Sequence, residues 1–139
     1  MADIAAAAGV ARSSLFYYFS NKDDVLAFFL RATLDELADA TTAAADSPGD
    51  PPVRLAAVVR AQLGHLDRHP AASQQLIAHL GRAGKLADTA ARIRNGFEEL
   101  VRRLLVEGAR DGTLRPLPDP ELGASALFGA VVVIDLRCC

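Results

Sequence analysis

Apolar and polar positions recur with helical spacing along nearly the whole chain, and the interruptions cut it into short and long segments. Leu15 and Phe19 lie four apart, on one helical face. A long helix is predicted from about Lys22 to about Ala44. Its start is apolar on more than one side, through Val25, Leu26, Phe28, Phe29 and Leu30, so it expects several neighbours. Asp46-Ser47-Pro48-Gly49-Asp50-Pro51-Pro52 is the clearest break. A helix from about Pro52 to Arg68 follows, with Leu55, Val59, Leu63 and Leu66 on one face. His69-Pro70 ends it, because the residue before proline avoids helical geometry. A shorter helix is predicted from Ala71 to Leu80, ahead of Gly81 and Gly84. From Leu86 to Arg110 a stripe of Ile93, Phe97, Leu100, Val101, Leu104, Leu105 and Gly108 defines another long helix, closed by Asp111-Gly112. Asp119-Pro120-Glu121 opens the last one, with Asp as N-cap and proline in the first turn.

Composition sharpens this to an all-α fold class. Alanine supplies 27 of 139 residues, and the β-branched and aromatic residues that strands favour are thin apart from one late run. Apolar types reach 51%, enough for a real core. Lys and Arg number 15 against 17 Asp and Glu, so no bulk positive field draws the chain to nucleic acid or membrane. The two cysteines, Cys138 and Cys139, are adjacent and terminal, which excludes a disulfide scaffold and a cysteine zinc site. The N-terminus lacks the pattern of a secretion signal. The longest stretch without charge or strong polarity, Leu122 to Ile134, has 13 residues, where a membrane span needs about 20. A soluble, cytoplasmic protein without membrane partners is expected.

The first thirty residues carry the most specific pattern. Ala5 allows a close helix crossing, Gly9 makes a turn, and Val10 and Leu15 fill the space between two short helices. Arg12, Ser13, Ser14, Tyr17 and Tyr18 then lie on or beside the exposed side of the second helix, whose N-terminal residues can enter a major groove. Spacing alone fits a plain helical hairpin equally well. The whole segment IAAAAGVARSSLFYYFSNKDDVLAFFL, however, resembles the DNA-binding signature of TetR-family transcriptional repressors, with matches at Ile4, Ala5, Gly9, Val10, Leu15, Phe19, Asn21, Lys22 and Leu26. The remainder, with His69-Pro70 and Gly112-Thr113-Leu114-Arg115-Pro116…Asp119-Pro120-Glu121, is similar to that family's ligand-binding domain.

The resemblance implies a helix-turn-helix segment over residues 1–34 and a helical ligand-binding and dimerisation domain over residues 35–139. It implies a homodimer that binds a double-stranded DNA operator and lets go when a small-molecule effector enters. Arg12, Ser13 and Tyr17 are then the expected base readers, and Ser14, Tyr18 and Lys22 the phosphate contacts. The alternative for Tyr17, Tyr18 and Lys22 is a solvated helix face. Three features depart from the family pattern. Ala11 stands where Ser or Thr is usual, Phe16 replaces a tyrosine, and the family's helix ahead of this motif is not found before Met1. The family's second bundle-forming helix is likewise expected beyond Cys139. Residues 1–46 hold three basic and seven acidic side chains, net −4, so this segment alone is expected to bind DNA weakly.

Elsewhere the chemistry is sparse. His65, Phe97, Leu100 and Phe128 are candidate effector contacts, each weighed against a plain core or surface role. Leu122, Ala126, Gly129, Ala130 and Val133 form a stripe on the last helix suited to a dimer interface. His65 and His69 are four apart, a metal-binding spacing, but no third ligand is evident in sequence, so no metal site is expected. Gly81-Arg82-Ala83-Gly84-Lys85 lacks the spacing and the Ser/Thr of a phosphate loop. No nucleophile elbow, acid/base pair or cofactor motif is found, and an enzyme is not expected. The competing reading is a helical ligand-binding or interaction module that does not hold DNA.

Overall fold

The computed structural model describes residues 2–72, 74 and 85–138. Their helices are α1 (Ala2–Ala8), α2 (Arg12–Tyr18), α3 (Lys22–Ala45), α4 (Pro51–Arg68), α5 (Lys85–Asp111) and α6 (Pro120–Cys138). No strand occurs among the described residues, and the fold is all-α. The helix expected over Ala71–Leu80 and the Gly81–Gly84 loop fall almost wholly outside the described residues.

Helix α1 ends in a Schellman turn. The N–H of Val10 donates to the Ala5 carbonyl at 3.1 Å and that of Gly9 to the Ala6 carbonyl at 3.2 Å. Gly9 sits at φ +66°, a left-handed conformation that an L side chain resists. The turn swings α2 across α1, and Ala5, Leu15 and Val25 close into a small core flanked by Ile4 and Phe19. Val25 belongs to α3, so the two short helices are anchored to the start of the long one. That start is capped by Asn21, whose Oδ1 accepts the Asp24 N–H at 2.9 Å, while the Asp24 carboxylate accepts the Ser20 N–H at 3.1 Å. The cap of α3 therefore pairs Asn21 with Asp24, three residues on.

The larger core lies where α4 and α5 pack against the C-terminal part of α3 and α6 packs on α4 and α5. Val58, Val101, Leu104 and Val131 are fully enclosed, and Phe97, Leu66, Ala45 and Ala124 join them. Each such Val or Leu contributes roughly 1.5–3 kcal/mol by leaving water. The α5 stripe is the expected one. On α4 the buried line differs from the expected face. Val58, Gln62, His65 and Leu66 are enclosed, whereas Leu55, Val59 and Leu63 are half-buried at the edge. The reason is that α4 meets α3, α5 and α6 together, so its buried stripe is centred between apolar positions and takes in two polar residues.

Two ion pairs tie the helix ends. Arg54 reaches Glu107 of α5 at 2.6 Å, and Arg103 reaches Asp46 at 2.7 Å. Asp119 caps α6, accepting the Leu122 N–H at 2.9 Å. Helix α6 buries Ala124 and Val131 inward and leaves Leu122, Ala126, Gly129, Ala130 and Val133 exposed, with Leu122 66% accessible. No described helix is long and apolar enough to cross a membrane.

Candidate nucleic-acid interface

Helix α2 is two turns long and holds to the fold by one buried residue, Leu15. Everything else on it faces outward. Arg12, Ser13 and Ser14 occupy its first turn, and Tyr17 and Tyr18 follow one turn later, four residues from Ser13 and Ser14. Tyr17 is 83% and Tyr18 75% accessible, their rings edge-to-face with centroids 5.0 Å apart. An exposed aromatic pair of this size is unusual on a surface with nothing to bind. The Arg12 guanidinium lies over the Phe16 ring, 5.5 Å from its centroid, which fixes the cation at the mouth of the helix. Phe16 thus keeps a role without a hydroxyl. Ala11, the N-cap, offers no side-chain acceptor, so the first N–H groups of α2 face outward without one. Lys22 opens α3 next to this surface, exposed. All six residues expected to meet DNA are therefore solvent-facing and cluster on α2 and the adjoining end of α3.

A cavity of about 410 Å³ lies between α3, α4 and α5. Leu34, Leu37, Ala38, Ile93, Phe97 and Leu100 give it apolar walls, and Thr41, Gln62 and Arg92 add polar groups. The Thr41 hydroxyl donates to the Leu37 carbonyl at 2.9 Å, so it presents its methyl and lone pairs rather than a free donor. Of the four residues expected to touch an effector, Phe97 and Leu100 line this space. Phe128 instead packs on Phe97, ring centroids 5.8 Å apart, on the core side. His65 lies outside the lining, against His69 and Glu36. Burial, reinforced by the nearby His69 and by Arg68, holds its pKa below the usual imidazole value, while Glu36 pulls the other way. Leu34, Leu37 and Gln62 are not singled out by the sequence, and Ile93 only as part of the α5 stripe, because which faces of α3, α4 and α5 converge is decided by packing.

Residues 1–27 match the family model of bacterial regulatory proteins of the tetR family. The chain is 26% identical to a transcriptional regulator of the TetR/AcrR family from Thermobifida fusca YX-ER1, with a TM-score of 0.78, covering 96% of this chain and 70% of that one. It shares its fold with the fatty acid degradation regulator FadR from Bacillus halodurans, at 24% identity, TM-score 0.76 and coverage of 96% and 73%. It also shares it with AibR, solved in complex with isovaleryl coenzyme A and operator DNA, at 21% identity, TM-score 0.75 and coverage of 96% and 72%. No curated protein matches the chain by sequence.

Proposed function

We propose that this chain, a TetR-family regulator by its N-terminal segment and its fold, is a ligand-responsive transcriptional repressor that leaves its operator when a small apolar effector fills the cavity between α3 and α5. One observation carries the reading. A single helix, α3, serves both ends: Val25 in its first turn anchors α2, and Leu34, Leu37 and Thr41 further along line the cavity. A molecule wedged against α3 shifts the helix that carries the reading surface. In this reading Arg12, Ser13 and Tyr17 meet base edges, and Ser14, Tyr18 and Lys22 meet phosphates. Arginine suits the two acceptors of guanine, and a lysine adds one neutralised phosphate. A second copy, docked through the outward stripe of α6, supplies the two-fold symmetry that paired half-sites require.

Fluorescence anisotropy on a duplex selected from a random pool tests this. Tyr17→Ala weakens binding, since it alters only an exposed side chain of α2. Ile93→Trp fills the cavity and abolishes the fluorescence of an apolar dye bound there, without removing DNA binding. Unchanged DNA affinity in Tyr17→Ala contradicts the reading. The alternative, an interaction module without DNA binding, has the net −4 charge of residues 1–46 in its favour and requires that duplex binding be absent.

A further inference from the structure

Beyond DNA and effector, we propose that Glu36, His65 and His69 form a binding site for a divalent first-row transition metal of the zinc class, clamping α3 to the C-terminal end of α4. His65 lies in the last turn of α4 and His69 is its C-cap, four residues on, and the chain brings the two rings together there. Their ring centroids stand 4.6 Å apart. Glu36 comes from α3, with Oε2 4.0 Å from Nε2 of His69. One ligand atom from each of the three lies within 4.8 Å of the others.

The donor set and its surroundings fit a metal. Two imidazoles and a carboxylate are the ligands zinc takes, and they are poor partners for calcium or magnesium, which want oxygen alone. His65 is 2% accessible, and its Nδ1 has no hydrogen-bond partner among the described residues. A buried imidazole nitrogen without a partner is rare in packed interiors, and a metal ion is one of the few groups that satisfies it. The Glu36 carboxylate is already oriented. Arg68 donates to its Oε1 at 3.2 Å, leaving Oε2 turned to His69, and Arg68 is itself held by the Gly64 carbonyl at 3.0 Å. Such outer hydrogen bonds to a ligating carboxylate are a regular part of zinc sites. Bonds of ~2.0–2.1 Å in a tetrahedron put ligand atoms roughly 3.4 Å apart. Side-chain rotation of the exposed Glu36 and the half-buried His69 closes the difference, while His65 stays fixed by burial. Three protein ligands leave a fourth position for water.

The site lies next to the cavity: Asp35 and Leu37 flank Glu36, and Gln62 precedes His65 by one turn. A bound metal therefore restrains the helix that carries α2. That regulatory consequence rests on the repressor reading, whereas metal binding itself does not.

Titration of the untagged protein with Co(II), read by absorption and followed by displacement with Zn(II), tests the site. One cobalt per chain, with ligand-field bands of a four- or five-coordinate ion and no thiolate charge transfer, is expected. His69→Ala and Glu36→Gln, chosen because neither side chain is in the core, weaken it by about tenfold or more, and Zn(II) raises the melting temperature of the wild type only. No saturable binding, binding unaltered by both substitutions, or a thiolate band reporting Cys138 and Cys139 overturns the proposal. Intact metal binding with absent DNA binding overturns only the repressor reading.

Discussion

Nη1 of Arg54 stands 2.6 Å from Oε1 of Glu107, while Nε of the same guanidinium donates to the Ala45 carbonyl at 2.7 Å. One side chain, 15% accessible, thereby satisfies the end of α3 and links α4 to α5. Arg54→Met leaves the Ala45 carbonyl and the half-exposed Glu107 without this donor. A loss of roughly 1–3 kcal/mol is expected, less than for a fully buried pair because Glu107 keeps access to water. Urea denaturation measures it, with Glu107→Gln losing less than Arg54→Met.

Gly9 owes its place to backbone geometry alone. A Cβ there meets nothing within 4 Å, but φ is +66°. Gly9→Ala therefore costs about 1–2 kcal/mol, and Gly9→Asn costs less, since asparagine tolerates the left-handed region better. Equal stability of the two variants by thermal unfolding would show that the turn is not held in this conformation.

The outward stripe of α6 bears on assembly. Leu122, Ala126, Gly129, Ala130 and Val133 are exposed on a helix whose other side packs on the core through Ala124 and Val131. Small residues at its centre let a second helix approach closely. Ala126→Glu leaves the single chain intact and places a carboxylate in the contact, at a cost of several kcal/mol if it is buried without a partner. Sedimentation velocity is expected to show the wild type associating and the variant monomeric. Identical monomeric profiles would mean that α6 packs only within its own chain.

The helices of this fold were largely legible from residue pattern, and the places where legibility failed are instructive. Breaks at Gly9, Pro48–Pro52 and Gly112 mark helix ends because glycine and proline act locally, on one or two residues. The α5 stripe was readable because the residues that its packing buries are themselves the apolar ones, Phe97, Val101 and Leu104 among them. The α4 stripe was not, since Gln62 and His65 are buried by convergence of three helices, and a polar residue does not announce burial. Glu36 was invisible as a third partner for His65 and His69, because nothing local in the 28 residues between Glu36 and His65 encodes the register of α3 against α4. Phe128 looked like a cavity residue but packs on Phe97 against the core, outside the residues that line the opening.

The central claim, that α2 and the start of α3 read duplex DNA, is most directly tested by titrating duplex DNA into isotopically labelled protein and following backbone amide resonances. This detects weak contact as readily as tight contact. Shifts concentrated on residues 12–22 are expected, with Lys22→Ala weakening all sequences alike and lowering the salt slope by about one. Shifts that are absent, or that map to α5 and α6 while Arg12, Tyr17 and Lys22 stay unmoved, would contradict it.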